Sequence, residues 1–584
     1  MILRLLLILL PLAAVPVIGW VWSSQFGFDA TSRDHWRWVR AYVVDYHQAP
    51  PFLLYGLYAE AGLMLALVLI FPLTVNRVRA ATKSGKHGSD TLHGSARWAQ
   101  WSDIRRAGLT GTRGVVVGGV ERFGRTRTLR HDGPEHILCF APTRSGKGVT
   151  LVLPTLLQWE HSVLVLDIKG ENYAKTAGWR ASLGHKILKF DPTSESGGAR
   201  FNPLAEIRLG TNHEIADAQN VAMMIIDPDG KGLRDFWMQS GFGWLTAGML
   251  HVLYRVKAEE QRTASLRDVS LFLSAPSNAG EPVTDEDGLS VMLRGMIAFD
   301  HCLNGDPREA INKLVHTAAQ EMLDRAGAER SGVHSSAIVK LALYRDPIVA
   351  ANIAESDFKL SDLMNGDTAA ALYLVVPPSD IDRLRPLLRI IMNLVLTRQT
   401  AEMRFDGQKS YRHRLLLMLD EFTSIGKLEI FERALAFMAG YGLKAFIIIQ
   451  DPAQLQKEYG RENAIMGNCH LRIAYAPNTP EAAEVLSKMT GKTTIVQEKR
   501  STSRKGLQLV GNNSDSLNEV ARPLLTPDEC MTLPGLHLQG SKVIPGDMLI
   551  FPAGFPAIHG RQKLYFQDRT LQQRSQMPVP GCPQ

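Results

Sequence analysis

The sequence predicts an α/β fold in which a phosphate-binding-loop nucleotide domain carries an inserted all-α domain and follows two membrane-spanning helices. Three observations carry this. Short apolar runs alternate with helical periods over most of the chain. One of those runs leads into a small-residue loop with Gly-Lys, "CFAPTRSGKGVT". Two long apolar stretches precede everything else.

The N-terminal region comes first. "ILRLLLILLPLAAVPVIGWVW" (residues 2–22) is long enough to cross a bilayer. Its bulky end at Trp20 and Trp22 argues against a cleaved signal peptide. Residues 52–73 form a second run, interrupted only by Glu60. The segment between them carries Arg33, Arg37, Arg40, Trp36 and Trp38. After it come Arg77, Arg79, Lys83, Lys86, Arg97, Arg105 and Arg106, which place that side in the cytoplasm. Residues 1–80 are therefore expected to be a two-helix membrane region with a short periplasmic loop. The bulk of the chain is expected in the cytoplasm.

From residue 81 the nucleotide domain is expected to run to 210, resume at 366 and end at 584. "HILCF", "SVLVLD", "KILKFD", "ALYLVV", "LLLMLD" and "AFIIIQ" are short runs rich in β-branched and large aliphatic residues. Such runs suit strands of a parallel sheet covered on both faces. Residues 211–365 lack these runs and read as helices, as in "DFWMQSGFGWLTAGMLHVLYRVKAEE". Residues 498–517 are polar and partly basic and read most simply as a mobile loop, with a nucleic-acid contact as the sharper alternative.

Composition narrows the class. The chain has 584 residues, 45% of them hydrophobic, which suits several domains with buried cores. A net charge of +7 mildly favours anionic partners. The five cysteines are far apart, so neither a disulfide framework nor a structural zinc site is expected.

The chemistry lies at strand ends. After "HILCF", the loop residues Ala141, Pro142, Thr143, Arg144, Ser145, Gly146, Lys147, Gly148 and Val149 can turn several backbone N–H groups toward one polyphosphate. Lys147 adds its charge to those phosphates. The helix begun by "VTLVLPTLLQW" should be disturbed by Pro154. Two features depart from the usual pattern. Ala141 stands for the first glycine, and Gly148 for the Ser or Thr that usually ligates magnesium. Two later strands end in acids, Asp167 and the Asp420-Glu421 pair. One acid would organise Mg2+ and a second would orient the attacking water, and the adjacent pair supplies both. Gln450 closes a further strand and suits a sensor of the γ-phosphate.

These motifs together resemble the TraG-like branch of type IV secretion coupling proteins. The resemblance rests on "HGSARWA", "DGPEHILCFAPTRSGKGV", "LVLDIKGENY", "FDPTSESGGARFNPL", "LLLMLDEFTSIGKLE", "GYGLKAFIIIQDPAQL" and "ARPLLTPDECMTLPG", in that order. It implies a RecA/FtsK-like ATPase using ATP and Mg2+, anchored in the bacterial inner membrane as a homo-hexamer. It also implies partners: a relaxase with single-stranded DNA, or protein effectors, and the components of a secretion channel. In that sheet topology the strand after the phosphate-loop helix is not the magnesium strand. Asp420 would then hold magnesium, with Glu421, Lys147 and Gln450 catalytic and Asp167 structural. Where some relatives carry an arginine from a neighbouring subunit, this chain reads "FMAGYGLK", leaving Arg433 and Arg472 as alternatives. An FtsK-like translocase would show more spans and a winged-helix tail. A non-hydrolysing docking scaffold would draw its support from Ala141 and Gly148.

Overall fold

A computed structural model describes residues 93–581, except 196, 275–286, 402–410 and 504–511, together with scattered single positions before 93. The chain divides into two compact units, Met1–Leu92 and His93–Gln584. The expected membrane helices at 2–22 and 52–73 lie outside the described residues, apart from single positions. Among the described residues, no helix is long and apolar enough to cross a membrane.

The second unit is built on one sheet. Its strands, in chain order, are β1 (Val115–Arg122), β2 (Arg125–His131), β3 (Ile137–Phe140), β4 (Ser162–Asp167), β5 (Lys186–Phe190), β6 (Ala370–Val375), β7 (Leu415–Leu419), β8 (Leu443–Ile449) and β9 (Leu471–Ala474). A separate hairpin follows, β10 (Lys492–Ser503) with β11 (Asn512–Pro523). Strands β12 (Asp547–Pro552) and β13 (Ile558–Arg561) then return to the sheet. The spatial order is β2-β1-β13-β12-β9-β3-β8-β7-β4-β6-β5. The run from β9 to β5 is parallel throughout, and the other four strands join it antiparallel.

All six apolar runs form strands of the parallel part. Successive side chains face opposite sides of a strand, and here both sides are covered. Leu138, Phe140, Leu164, Leu166 and Leu417 belong to the core on one face. Ile137, Cys139, Val163, Val165, Leu416 and Met418 belong to the core on the other. Periodicity did not reveal β1, β2, β9, β12 and β13. β1 is interrupted by glycines, β2 is arginine-rich, and β9 and β13 carry arginine, histidine or glycine among few apolar residues, while the short apolar run of β12, Met548–Phe551, went unread.

The stretch between β5 and β6 is mostly helical. Its longest helix is Phe236–Glu260, and a two-residue strand pair, Cys302–Leu303 with Asp306–Pro307, interrupts it. Leu245, Leu250, Val315 and Leu341 of this stretch share a core with the Leu138 face of the sheet. The expectation of a loop at 498–517 is corrected, because most of that stretch belongs to β10 and β11. These strands show no alternation of apolar and polar residues, the signal by which a half-buried strand is read.

Candidate nucleotide site

Parallel strands bring chemistry together at their carboxyl ends. Here β3 leads into the Lys147 loop, β8 into Gln450 and β7 into Asp420 and Glu421. Because β8 lies between β3 and β7, Gln450 emerges between the lysine and the acids. β4, which ends in Asp167, is one strand further away.

The loop turns tightly. Arg144 (φ 63°) and Gly146 (φ 88°) adopt left-handed conformations. Ser145 N–H donates to the Pro142 carbonyl at 3.2 Å, and Thr150 N–H to the Gly146 carbonyl at 3.1 Å. Ala141 is fully buried and its N–H donates to the Ile449 carbonyl at 2.8 Å, which ties the loop to β8. The following helix opens as a π turn, Gly148–Val152, and closes as a short α segment, Leu153–Leu156. Pro154 accounts for both features. It offers no N–H and crowds the carbonyl four residues back, and the wider turn absorbs the misfit.

Lys147 Nζ lies 2.8 Å from Asp420 Oδ1 and 2.6 Å from Glu421 Oε1. Gln450 Nε2 donates to the other Glu421 oxygen, Oε2, at 2.9 Å. Glu421 is itself left-handed (φ 59°), a conformation costly for a residue with a side chain and concentrated at functional sites. Burial works against the charge on Lys147, but the two carboxylates outweigh it and raise its pKa. Burial also raises Asp420, and Lys147 offsets only part of that. For Glu421 the balance reverses. Burial pushes it up, yet Lys147, Gln450 and Lys169 together hold it below the ordinary glutamate value. Adjacent acids thus receive opposite shifts, the pattern expected where two carboxylates take different roles.

The donor set fits magnesium. Asp420 Oδ1 is buried, and its one close partner is the Lys147 ammonium, which phosphate would draw away. Ser145 Oγ is buried and also lacks a hydrogen-bond partner. Thr150 cannot replace the hydroxyl missing at Gly148, because its Oγ1 already bonds the Gly146 carbonyl at 2.8 Å and Tyr475 Oη at 2.5 Å. Among the described residues no cluster of three or more His, Cys, Asp or Glu could hold a metal. Magnesium needs none, since one or two carboxylates plus substrate phosphates and waters complete its shell.

Asp167 is occupied elsewhere. Its Oδ2 accepts the Tyr173 N–H at 2.8 Å and its Oδ1 the Asn172 Nδ2 at 3.4 Å, at the start of the helix Glu171–Ser182. Arg472 donates to the Met466 carbonyl at 3.2 and 2.9 Å, and Arg433 is exposed on the helix Glu429–Ala434. Sequence reasoning missed Tyr475 and also Gln562, whose Nε2 donates to the Ser145 carbonyl at 3.3 Å. Both follow strands that periodicity did not reveal. The loop also borders a mostly apolar cavity of about 230 Å³, lined by Pro142, Thr143, Gln450, Tyr475 and Asn478 among others.

Known proteins agree with this architecture. A family model described as "Type IV secretory system Conjugative DNA transfer" matches residues 97–581. A conjugal transfer protein TraG of Escherichia coli is 44% identical over 546 residues, covering 89% of this chain and 83% of that protein. The coupling protein TrwBdeltaN70 in complex with sulphate superposes with a TM-score of 0.56 at 18% identity, covering 80% of this chain and 93% of that one. TrwB in complex with ADP and Mg2+ superposes with a TM-score of 0.55 at 18% identity, covering 80% and 94%. At such identity the superpositions speak to the fold. The family match and the TraG relative speak to the role: the chain belongs to the type IV secretory system conjugative DNA transfer family and is a TraG-like coupling protein, serving conjugative DNA transfer at a type IV secretion system.

Proposed function

We propose that the chain is the ATP-hydrolysing engine of that coupling step. It would work as a homo-hexamer anchored in the bacterial inner membrane through residues 2–22 and 52–73. Its cargo is a relaxase bound to single-stranded DNA, delivered to the secretion channel. The observation that carries this reading is the contact set in which Lys147 bridges Asp420 and Glu421 while Gln450 holds the second Glu421 oxygen. A scaffold that only bound nucleotide would not need a depressed glutamate locked by an amide.

Each residue has a chemical task. Backbone N–H groups of 143–149 cradle phosphate, and Lys147 exchanges its carboxylate partners for phosphate oxygens. Asp420 and Ser145 Oγ would hold magnesium, which supplies charge neutralisation on the phosphates when bound. Glu421, kept ionised, accepts a proton from the attacking water. Gln450 orients Glu421 and couples its position to β8.

The experiment is the ATPase rate of the wild type and of Glu421→Gln, with and without single-stranded DNA, across a salt series. The engine reading expects DNA stimulation that fades with salt, as counterion release requires, and a nearly inert Glu421→Gln. Equal, negligible turnover in both, with nucleotide still bound, would establish the docking scaffold instead.

A further inference from the structure

The far edge of the sheet carries a second chemistry. β1 and β2 are joined by a two-residue turn at Phe123 and Gly124, with Arg122 opposite Arg125. Both turn residues are left-handed (φ 52° and 70°). This turn type favours Asn or Asp followed by Gly, and a bulky side chain at its first position costs energy. That cost is not recovered by burial, because Phe123 is 91% exposed and, among the described residues, its ring meets only the Arg122 guanidinium, 5.0 Å from the centroid.

The charges around the tip are also uncompensated. Arg122 lies directly opposite Arg125, and Val120 opposite Arg127, so Arg122, Arg125 and Arg127 share one face of the hairpin. Like charges directly opposite destabilise a strand pair. None of the three forms an ion pair among the described residues. Arg122 is held by stacking on Trp101, with its guanidinium 4.3 Å from the ring centroid. Arg105, exposed and one turn along the same helix face, also has no ion pair among the described residues. Arginines on the edge strand β2 would protect it from pairing with other chains. That explains Arg125 and Arg127 but leaves Phe123 unexplained.

We propose that this hairpin is a membrane-surface contact, with Phe123 entering the headgroup boundary of an anionic bilayer and Arg122, Arg125 and Arg127 binding lipid phosphates. An apolar tip set ahead of a cationic collar matches the depth profile of such an interface. Single-stranded nucleic acid fits less well. It is held by aromatic platforms for successive bases, and here the Arg122 guanidinium lies between the two rings, 4.3 Å from the Trp101 centroid and 5.0 Å from that of Phe123, so the pair offers no open two-ring platform. The inference rests on the membrane anchoring proposed above. About 20 residues join Leu73 to His93, a reach of at most ~70 Å, so anchoring would keep the hairpin at high effective concentration near lipid.

The test is hydrogen exchange at residues 115–131 in the full chain reconstituted into vesicles. One set is phosphatidylcholine alone, and the other is equal parts phosphatidylcholine and phosphatidylglycerol. The hairpin amides should be protected only in the anionic set, and the protection should vanish near 1 M salt, where charges are screened within about 3 Å. Phe123→Asn suits the turn better, so its exchange in phosphatidylcholine should be no faster than wild type, while protection in anionic vesicles is lost. Arg125→Gln and Arg127→Gln should each weaken protection by about fivefold. Equal exchange in both vesicle sets overturns the proposal. So does protection by a single-stranded oligonucleotide in place of lipid. An alkaline carbonate wash separates the two readings. A chain that stays in the membrane with an unprotected hairpin fails only this inference. A chain that washes off fails the anchoring, and its hairpin is then tested on added vesicles of the same two compositions.

Discussion

Lys147 and Lys444 sit at opposite ends of the same parallel layer and have opposite fates. Lys147 follows the carboxyl end of β3 and faces two carboxylates, which keep it charged. Lys444 is the second residue of β8, near the amino ends, and only 2% exposed. Its Nζ bonds His131 Nδ1 at 2.7 Å and the carbonyls of His131 and Gly133 at 3.0 and 2.7 Å. Burial first, then Arg414 nearby, lowers its pKa to about 7. The residue type is the same and both lysines are largely buried. What differs is what touches the ammonium: Lys147 pairs with two carboxylates, whereas Lys444 bonds only dipoles, and Glu135 and Asp132 nearby offset its burial only in part. A lysine is a ligand-binding charge at the end where acids converge, and a proton-sensitive packing element at the other.

Removing the acid side of this contrast gives the largest effect. Glu421→Gln keeps the volume and the contact with Gln450 but loses the base. Turnover should fall by about 10² to 10⁴-fold with nucleotide affinity retained, measured by steady-state ATPase and nucleotide binding. A fall confined to affinity would mean that Glu421 serves only to hold Lys147.

The Lys444 side is read by pH. Between about 7 and 10.5 the folded chain carries this lysine neutral, while the unfolded chain carries it protonated. The unfolded state then binds more protons, so stability rises with pH across that window. Below about 7 both states are protonated and the slope disappears. Against Lys444→Met, the wild type should gain up to ~1.4 kcal/mol per pH unit inside the window, read from denaturant unfolding. Parallel pH profiles for the two proteins would show that Lys444 keeps its charge.

Asp167 sharpens the comparison, since it is a strand-end acid without a lysine. Asp167→Ala should cost about 1 kcal/mol of stability, through the lost bonds at the start of its helix, and leave the ATPase rate within about twofold. A deep loss of turnover would place it in the catalytic group. The smallest effect is expected at Gly148, where an added Cβ would meet nothing within 4 Å. Gly148→Ser should fold, gain a few tenths of a kcal/mol by replacing a helical glycine, and lower the magnesium concentration for half-maximal rate. An unchanged magnesium requirement would leave the role to Ser145 and water.

Much of this was legible in the residues. Five of the six runs are readable because a strand buried on both faces must be apolar, and β5, at the sheet edge with Lys186 and Lys189, keeps enough large aliphatic residues to be read with them. Lys147, Asp420, Glu421 and Gln450 are readable because each closes or follows such a run. Asp167 was distinguishable from Asp420 only through the resemblance, and the strand order supplies the physical reason. β1, β2, β9 and β13 escaped because glycine, arginine or histidine breaks their pattern, and β12 escaped although Met548–Phe551 is apolar. With them went Tyr475 and Gln562, which hold the loop from strands far away in sequence.

The sequence by itself determined which residue types stand at strand ends, because burial demands apolar runs and chemistry interrupts them. Only the tertiary structure decided which of those ends meet. Placing β8 between β3 and β7 brings Lys147, in the loop after β3, within 2.8 Å of acids more than 270 residues away. The same closure in space sets the sign of each pKa shift. A side chain's charge depends on what surrounds it after folding, and spacing along the chain does not carry that information.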